Sequence, residues 1–498
     1  MASYGVTRPG TTEVNGIRTG LAGESMPRPI STPRRARSVR RARERSGVAA
    51  LAAKPTQMAV TAAEDISTYQ SIFTWLRERL PGRCYSLPAC KRLAILVSGL
   101  LVKPTCTLGA LAAGVEGLAV SDAGAESIER RLRRTLHDER MDPTKLLSEV
   151  FRRILPELLA PLREQAASQP LRRQPLVRII VDETSHTDRV HMLVAGLAYR
   201  GIVVPLLVRT WQQNTPQPEG AYHAELHALL HDVQQILPPE LRSRVLLIAD
   251  RGYGTARMID LLLTMGWQWL LRVQGQTHVR LPDGTTHSLR SLTPRPGLTW
   301  FGPHDPDAPP SADDSDPPPV HVFKTSGWRQ TQVVAAWASG TAEPWLLLTS
   351  LKPSRDAILD YTRRWSIERL FLSWKSHGWQ LEASQVRDPA RFGRLLSGMV
   401  IATLWRLAAG VAHAEKHLAT LRRRALRQLR VPPAADHPAT TPLPRPYAAK
   451  RSLFTQGIDC WQHINGRHQI PPLLWTFLDW EVPTWNAQAS RAAAGFSP

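Results

Sequence analysis

Three acidic residues in this sequence stand where carboxylates could act together on a phosphate ester. Asp182 and Asp250 each end a short apolar run typical of a buried strand, and Glu368 lies in a helical pattern. A buried carboxylate at a strand end usually binds a cation, pairs with a base or reaches solvent. Ligands collect at the carboxyl ends of strands in open sheets, so the three side chains can converge. Hard cations such as Mg²⁺ prefer oxygen ligands, and two such ions about 3.5–4 Å apart support in-line phosphoryl transfer.

Glu368 shares one edge of a predicted helix with other side chains suited to phosphate chemistry. Tyr361, Arg364 and Lys375 lie at helical steps of three, four and seven residues along the same edge. The pattern predicts one continuous helix over residues 354–378. The alternative is an ordinary surface ion pair between Arg364 and Glu368, worth about 0.2–0.5 kcal/mol. The two strand-end aspartates favour the functional interpretation.

Three motifs, taken in order, resemble the DDE transposases of bacterial insertion sequences, in the insertion-sequence four group. That group carries a Tyr-x2-Arg-x3-Glu-x6-Lys signature, which residues 361–375 match. Its Asp-x-Gly-aromatic motif is matched by residues 250–253, and its Asp-x-Thr motif by residues 182–184. The likeness covers residues 68–412 and includes a β-rich insertion between the second Asp and the Glu.

The resemblance implies a role for six residues. Asp182, Asp250 and Glu368 would be the catalytic residues and would bind Mg²⁺, for which Mn²⁺ could substitute. Tyr361, Arg364 and Lys375 would contact phosphates of the transposon end. The implied partners are double-stranded DNA, as terminal inverted repeats and as target, and a second copy of the chain in a homodimer on DNA. Two alternatives stay open: a ribonuclease-H-like nuclease without strand transfer, and an inactive remnant that only binds DNA.

The elements that must position these residues follow the order of a ribonuclease-H-like core. LVRIIVD, MLVAGLAY and IVVPLLVRTW predict three antiparallel strands, with a hairpin turn at Arg200-Gly201. A helix over residues 219–237, the strand SRVLLIAD, a second helix and the strand WQWLLRV follow. The predicted fold class is therefore α/β, with a ribonuclease-H-like catalytic core, a β-rich insertion and a helical N-terminal domain.

The predicted segments divide the chain into six parts. They are a disordered basic tail (1–64), a helical, DNA-binding domain (65–173), the first part of the core (174–273), the β-rich insertion with a disordered acidic, proline-rich loop (274–343), the second part of the core with the Glu368 helix (344–412), and a basic helix, linker and tryptophan-rich segment (413–498). Residues 107–134 suggest a helix-turn-helix in which Arg130, Arg131, Arg133 and Arg134 would face DNA. A helical bundle with one solvated basic face fits the same pattern.

Composition points to a polyanionic partner. A net charge of +21 and a pI near 10.6 favour nucleic acid before an anionic membrane. No apolar run approaches the ~18 residues of a membrane span, and the longest, at residues 93–102, is broken by Ser98 and Gly99. The N-terminus lacks a secretory apolar region, and the four cysteines have no C-x-x-C spacing. We therefore expect no membrane association and a cytoplasmic, nucleoid-associated protein.

Some other residues carry weaker signals. His223 and His227 lie one helical turn apart, but the Glu between them is displaced from the H-E-x-x-H zinc pattern, which favours a polar helix face. Glu183 points away from Asp182 if the strand continues, so it is the poorer ligand. His186 is expected in a loop. Relatives in the resembled group flip a base onto a tryptophan of the insertion; the candidates are Trp300, Trp328 and Trp337.

Overall fold

The structure, a computed structural model, describes most of the chain between residues 67 and 477. Gaps in this description fall at 83, 117–123, 170–174, 188, 214, 216–217, 304–317, 429–451 and 465–469. The predicted basic tail, most of the predicted acidic loop and the predicted linker at 431–450 lie outside the described residues. The domain boundaries given above remain predictions.

Among the described residues from 67 to 169, all regular structure is helical. The helices are α1 (Thr68–Arg79), α2 (Leu87–Val102), α3 (Leu108–Val115), α4 (Ala125–His137), α5 (Pro143–Leu158) and α6 (Ala160–Ser168). Ser67, Ser86 and Asp142 cap α1, α2 and α5 by accepting hydrogen bonds from backbone N–H groups. The apolar faces of these helices join the same hydrophobic core as the sheet.

Two of the arginines on the basic face of α4 form ion pairs with acidic residues of the same helix. Arg130 and Arg133 form i,i+4 ion pairs with Glu126 and Glu129, and both arginine side chains are exposed. The segment between α3 and α4 falls among the residues outside the description. A DNA contact by this face stays a prediction.

Five strands form the part of the sheet that carries the two aspartates. They are β1 (Val177–His186), β2 (Val190–Tyr199), β3 (Ile202–Gln212), β4 (Val245–Ala249) and β5 (Gln268–Arg272). Their order in space is β3-β2-β1-β4-β5, with β1 antiparallel to β2 and parallel to β4. Arg200 and Gly201 both have positive φ, as a two-residue hairpin turn requires, so the predicted turn is confirmed. The predicted order of strands and helices in this region is also confirmed.

Two helices connect the parallel strands. α7 (Ala221–Ile236) follows β3, and α8 (Ala256–Met265) joins β4 to β5. Thr255 caps α8, and Gly266 ends it in the left-handed region, where a glycine avoids steric strain. These crossovers allow β4 and β5 to lie parallel to β1, with their carboxyl ends at one edge of the sheet.

The β-rich insertion extends this sheet. Its strands are β6 (His278–Arg280), β7 (Thr286–Ser288), β8 (Thr299–Trp300), β9 (Val320–Val322) and β10 (Arg329–Ala336), and β11 (Trp345–Thr349) follows in the second part of the core. The sheet continues from β5 in the order β11-β10-β9-β6-β7, and β8 pairs with β10. Asp283 and Gly284 form the turn between β6 and β7, where Gly284 has φ +83° and the Asp283 carboxylate accepts a hydrogen bond from the Thr285 N–H.

The prediction of one continuous helix over residues 354–378 is wrong. The segment forms α9 (Arg355–Thr362), α10 (Trp365–Leu372) and a π-helical turn (Ser373–His377). At Arg363 and Arg364 the backbone changes to hydrogen bonds spanning three residues, from the Arg364 N–H to the Tyr361 carbonyl and from the Ser366 N–H to the Arg363 carbonyl. Helical propensity alone does not encode this break.

The last described elements are one long helix and one short one. α11 (Pro389–Gln428) is continuous, so the basic helix predicted in the last part of the chain (413–498) belongs largely to the end of α11. α12 (Leu453–Ile464) packs against α11. Within the described residues, the stretch Pro389–His417 of α11 is long and apolar enough to cross a membrane, but 94% of its most apolar window is buried inside the protein. It is therefore accounted for as the core helix of a folded domain.

Candidate active site

The two aspartates predicted at strand ends lie side by side, although only Asp250 follows the end of its strand, because β1 continues past Asp182 to His186. β1 and β4 are parallel neighbours, and Val181 of β1 pairs with Ala249 of β4. Asp182 and Asp250 are the next residues on each strand, so the pairing register brings both carboxylates to the same level. Sequence spacing predicted this arrangement, and the strand pairing produces it.

Three polar residues of β1 contact the segment that runs from α9 to the π-helical turn. The contacts are Arg178 Nε to Asp360 Oδ1 (2.8 Å), Arg364 Nη1 to Asp182 Oδ2 (3.3 Å) and Lys375 Nζ to Thr184 Oγ1 (2.7 Å). Asp360 also accepts a hydrogen bond from Arg363. Each contact joins the strand to a later point in the helical segment, so β1 fixes where Arg364 and Lys375 lie.

Arg364 lies at the centre of the three predicted catalytic carboxylates. Its Nη1 is 3.3 Å from Asp182 Oδ2 and 3.7 Å from Asp250 Oδ2, and its Nη2 is 2.5 Å from Glu368 Oε1. The Arg364 side chain is only 8% exposed, whereas Glu368 is 47% exposed. The structure thus brings the three acidic residues around one guanidinium group.

Asp250 has further partners besides Arg364. Tyr361 donates its hydroxyl to Asp250 Oδ1 at 3.1 Å, and Arg272 Nη1 lies 3.8 Å from the same oxygen. Burial raises the pKa of Asp250, but Arg364, the Arg251 backbone N–H, Tyr361 and Arg272 together outweigh it, and the pKa falls below its usual value. The Asp250 carboxylate is therefore ionised at neutral pH.

Asp182 has the opposite electrostatic balance. Burial raises its pKa to about 6; the Glu183 backbone N–H and Arg364 lower it by less, and Asp250 and Glu368 raise it. Its side chain is 17% exposed. A positive charge brought close to the three carboxylates would favour the ionised form of Asp182.

Two residues near the site were not anticipated from the sequence. Arg272 ends β5 and contacts both Asp250 and Glu343, while Asp360 forms ion pairs with Arg178 and Arg363. The sequence could have indicated Arg272, because Arg272 ends β5 much as Asp250 follows β4. The Arg178–Asp360 pair joins residues 182 positions apart, and no local pattern indicates it.

Other predicted candidates lie away from the carboxylates. His186 belongs to β1 rather than to a loop, is 1% exposed and stacks on Phe392 with 4.7 Å between ring centroids. The prediction of a loop histidine is therefore wrong.

Lys375 contacts Thr184 of β1, and its ammonium is partly buried. Burial lowers the pKa of Lys375, an effect that the Glu382 charge partly opposes.

The three candidate tryptophans of the insertion are partly or fully covered. Trp337 is buried with the Arg290 guanidinium 3.9 Å from its ring centroid, and Arg280 lies 4.8 Å from that of Trp328. Trp300 is half-buried in β8. By contrast, Trp365 at the start of α10 is 50% exposed.

The donor chemistry of the site fits a hard divalent cation, but its present spacing fits a guanidinium. Asp182, Asp250 and Glu368 supply only oxygen ligands, as Mg²⁺ prefers, and they already converge on one positive charge. Within the described parts of the chain, no group of three or more His, Cys, Asp and Glu side chains is spaced to hold a metal ion. The His223–His227 pair on α7 therefore gains no third ligand of those types among these residues.

Comparison with known families gives one match. Residues 220–405 match the family described as the transposase DDE domain, a range that includes Asp250 and Glu368 and begins after Asp182. The match covers less than half of the 498 residues. It supports a DDE transposase, an enzyme of the polynucleotidyl transferase type acting on DNA, and implies a ribonuclease-H-like core within the mixed α/β fold. No curated protein matches the chain.

Proposed function

We propose that this protein is a DNA transposase of the insertion-sequence four group that moves its element by a cut-and-paste route. The observation that carries the proposal is the convergence of Asp182, Asp250 and Glu368 around Arg364, from two adjacent strands and a helix. The match to the transposase DDE domain supports the same reaction class. The Tyr361-x2-Arg364-x3-Glu368-x6-Lys375 spacing supports the finer group.

Each site residue has a proposed role in the reaction. Asp182, Asp250 and Glu368 would hold Mg²⁺, or Mn²⁺ in its place, with their carboxylate oxygens. Bound there, two such ions would activate the attacking oxygen and stabilise the leaving oxygen of an in-line phosphoryl transfer. Tyr361, Arg364 and Lys375 would bind and orient phosphates of the transposon end.

The proposed chemistry has two steps of the same kind. In the first, the oxygen of water attacks the phosphorus at the transposon terminus and the P–O3′ bond breaks. One water proton passes to solvent, and the leaving 3′ oxygen takes up a proton. The products are a free 3′-OH and a 5′-phosphate. In the second, that 3′-OH attacks a phosphodiester of target DNA and displaces the 3′ oxygen of the target strand, so one ester bond replaces another.

The chain's charge suits this partner. A net charge of +21 favours binding along DNA, with an affinity that falls as salt rises. We propose double-stranded DNA ends and target DNA as partners, a homodimer assembled on two ends, and a cytoplasmic location on the nucleoid. A nuclease without strand transfer and a DNA-binding remnant are the competing functions.

The test uses a linear DNA fragment that carries the genomic segments flanking the gene, incubated with the full-length protein and Mg²⁺. Asp182→Asn, Asp250→Asn and Glu368→Gln should each lower the cleavage rate by more than about 100-fold, because even indirect partners of metal ligands are worth about 10–100-fold. DNA binding in a gel-shift assay should persist. Asp356→Asn is the matched control, since Asp356 is an exposed carboxylate in the first turn of α9.

The outcomes separate the competing functions. Cleavage followed by joining of the freed 3′ end to a target plasmid supports transposition, and cleavage without joining supports the nuclease. Binding without cleavage supports the remnant. Normal cleavage by any of the three carboxylate variants would remove that residue from the proposed site.

A further inference from the structure

Arg364 stands where a shared cation would have to bind. Its two terminal nitrogens reach oxygens of three carboxylates that come from β1, from the end of β4 and from α10. The side chain is 8% exposed, so these contacts are shielded from bulk water. By comparison, Arg272 reaches only Asp250 among the three, at 3.8 Å.

The contacts have an electrostatic reason. Like charges held close together in a partly buried site repel one another, and a positive group between them removes much of that repulsion. A guanidinium is suited to this because its planar fork donates to more than one carboxylate at once. Arg364 therefore does what a divalent cation would do, namely hold three carboxylates around one centre.

A divalent cation held by the same three carboxylates would oppose the guanidinium in two ways. It would repel the positive charge of Arg364 over a short distance. It would also compete for Asp182 Oδ2, Asp250 Oδ2 and Glu368 Oε1, which are the oxygens that Arg364 contacts.

We propose that Arg364 is an internal counter-ion that exchanges with the divalent cation. Entry of the cation displaces the guanidinium from Asp182 and Asp250, and the released group becomes available to a DNA phosphate. The inference rests on the proposed function, because it takes the three carboxylates as the metal ligands. Arg364 acts here as a positioning residue that links metal loading to phosphate binding.

The position of Arg364 in the fold favours movement of its side chain alone. It lies at the break between α9 and α10, while the neighbouring Arg363 is held by Asp360, which is also bound to Arg178 of β1. These ion pairs anchor the backbone on the strand. The guanidinium can then change partners without displacing Glu368, which lies one helical turn further on.

The test measures Mn²⁺ binding to the full-length protein without DNA, by electron paramagnetic resonance and calorimetry. Arg364→Gln should bind Mn²⁺ about tenfold more tightly than the unmodified protein or better, within the usual range of coupling between sites. Arg364→Lys should lie between the two, because an ammonium keeps the charge but lacks the fork. Arg272→Gln is the matched control, and it should change Mn²⁺ affinity much less.

A second measurement, of thermal unfolding, distinguishes the proposed exchange from misfolding of the variant. When no metal is added, Arg364→Gln should unfold at a lower temperature than the unmodified protein. Added Mn²⁺ should raise the Tm of Arg364→Gln by more than it raises the Tm of the unmodified protein. Equal or weaker Mn²⁺ binding by Arg364→Gln would overturn the exchange, and so would an equal gain in Arg272→Gln. If Glu368→Gln binds Mn²⁺ as tightly as the unmodified protein, the ion lies elsewhere, and the metal assignment of the proposed function fails with the exchange.

Discussion

Asp182 is the least exposed of the three carboxylates, and its ionisation is less favoured than that of Asp250. Its side chain is 17% exposed, against 33% for Asp250 and 47% for Glu368. Burial raises its pKa to about 6, while the pKa of Asp250 is lowered. At the scale of single residues, the site thus keeps one carboxylate that ionises reluctantly beside one that ionises readily.

This difference predicts a pH-dependent stability effect for Asp182→Asn in the metal-free protein. The folded pKa of about 6 exceeds the ordinary value of 3.8, so the folded state loses stability relative to the unfolded state as pH rises from about 4 through 6. Asparagine removes that loss. The variant should gain about 1–3 kcal/mol in free energy of unfolding at pH 7.5, since one pKa unit corresponds to about 1.4 kcal/mol. Urea denaturation at pH 7.5 and pH 4 checks it.

The same variant supplies its own control. At pH 4 the gain should be much smaller, because the Asp182 carboxyl is then largely protonated in the folded protein. A gain of equal size at both pH values would show that the effect comes from packing rather than from charge. A loss of stability at pH 7.5 would contradict the raised pKa.

At the scale of elements, the turn after β4 depends on a glycine outside the recognised motif. The Asp-x-Gly-aromatic motif contains Gly252, yet a Cβ built at Gly252 meets nothing within 4 Å. A Cβ at Gly254 would lie 2.3 Å from the Arg272 carbonyl oxygen of β5. The turn therefore approaches β5 at Gly254, and this approach helps to hold Asp250 at the sheet edge.

Gly254→Ala should destabilise the protein by about 1–3 kcal/mol, the usual range for overpacking. It should also lower DNA cleavage, because relieving the contact moves the turn that begins at Asp250. Gly252→Ala is the matched control two residues away, and its stability should change by less than about 0.5 kcal/mol. Thermal unfolding and the cleavage assay compare the two variants. Equal effects would show that the close approach to β5 is not what requires glycine here.

Much of the strand pattern and the catalytic candidates could be predicted from sequence, while the shape of the helical segment could not. Buried strands ending in Asp182 and Asp250 are local signals, and so is the spacing from Tyr361 to Lys375. The break at Arg363 and Arg364 is associated with the Asp360–Arg178 ion pair, which joins residues 182 positions apart. An unbroken apolar period predicted a single helix because it carries no information about such distant partners.

At the scale of the whole molecule, the C-terminal segment completes the core. α12 crosses α11 where Gly410 and Gly457 lie: a Cβ at Gly457 would be 2.0 Å from the Arg406 carbonyl oxygen. Beyond α12, Trp475 stacks on Trp75 of α1, and Phe477 contacts Tyr199 of β2. The first helix, the central sheet and the last described residues therefore share one hydrophobic core.

Gly457→Ala tests this close crossing, because the close approach determines whether the substitution raises or lowers the free energy of unfolding. Alanine normally stabilises a helix interior over glycine by about 1 kcal/mol, but here its methyl group would meet backbone atoms of α11 that cannot rotate away. The variant should lose about 1–3 kcal/mol of stability.

Gly109→Ala in α3 is the matched control for this change. Its methyl group would meet only the far end of the Glu129 side chain, at 3.3 Å, which can move aside. This variant should keep most of the ordinary helical gain, and calorimetric unfolding measures both. Stabilisation by Gly457→Ala would mean that α12 does not pack this closely on α11.

The π-helical turn at Ser373–His377 has a consequence for insertions and deletions in the gene. The Gly378 N–H bonds the Ser373 carbonyl five residues back, so the chain carries one residue more here than an α-helical turn would hold. Deleting one codon within residues 376–378 would leave Tyr361, Arg364, Glu368 and Lys375 in order and at their spacing. The π-helical turn would nevertheless be lost. The backbone at Lys375 would then change course, and its ammonium would no longer reach Thr184 of β1. The reading frame would survive such a deletion, whereas the alignment of that ammonium with the strand would not.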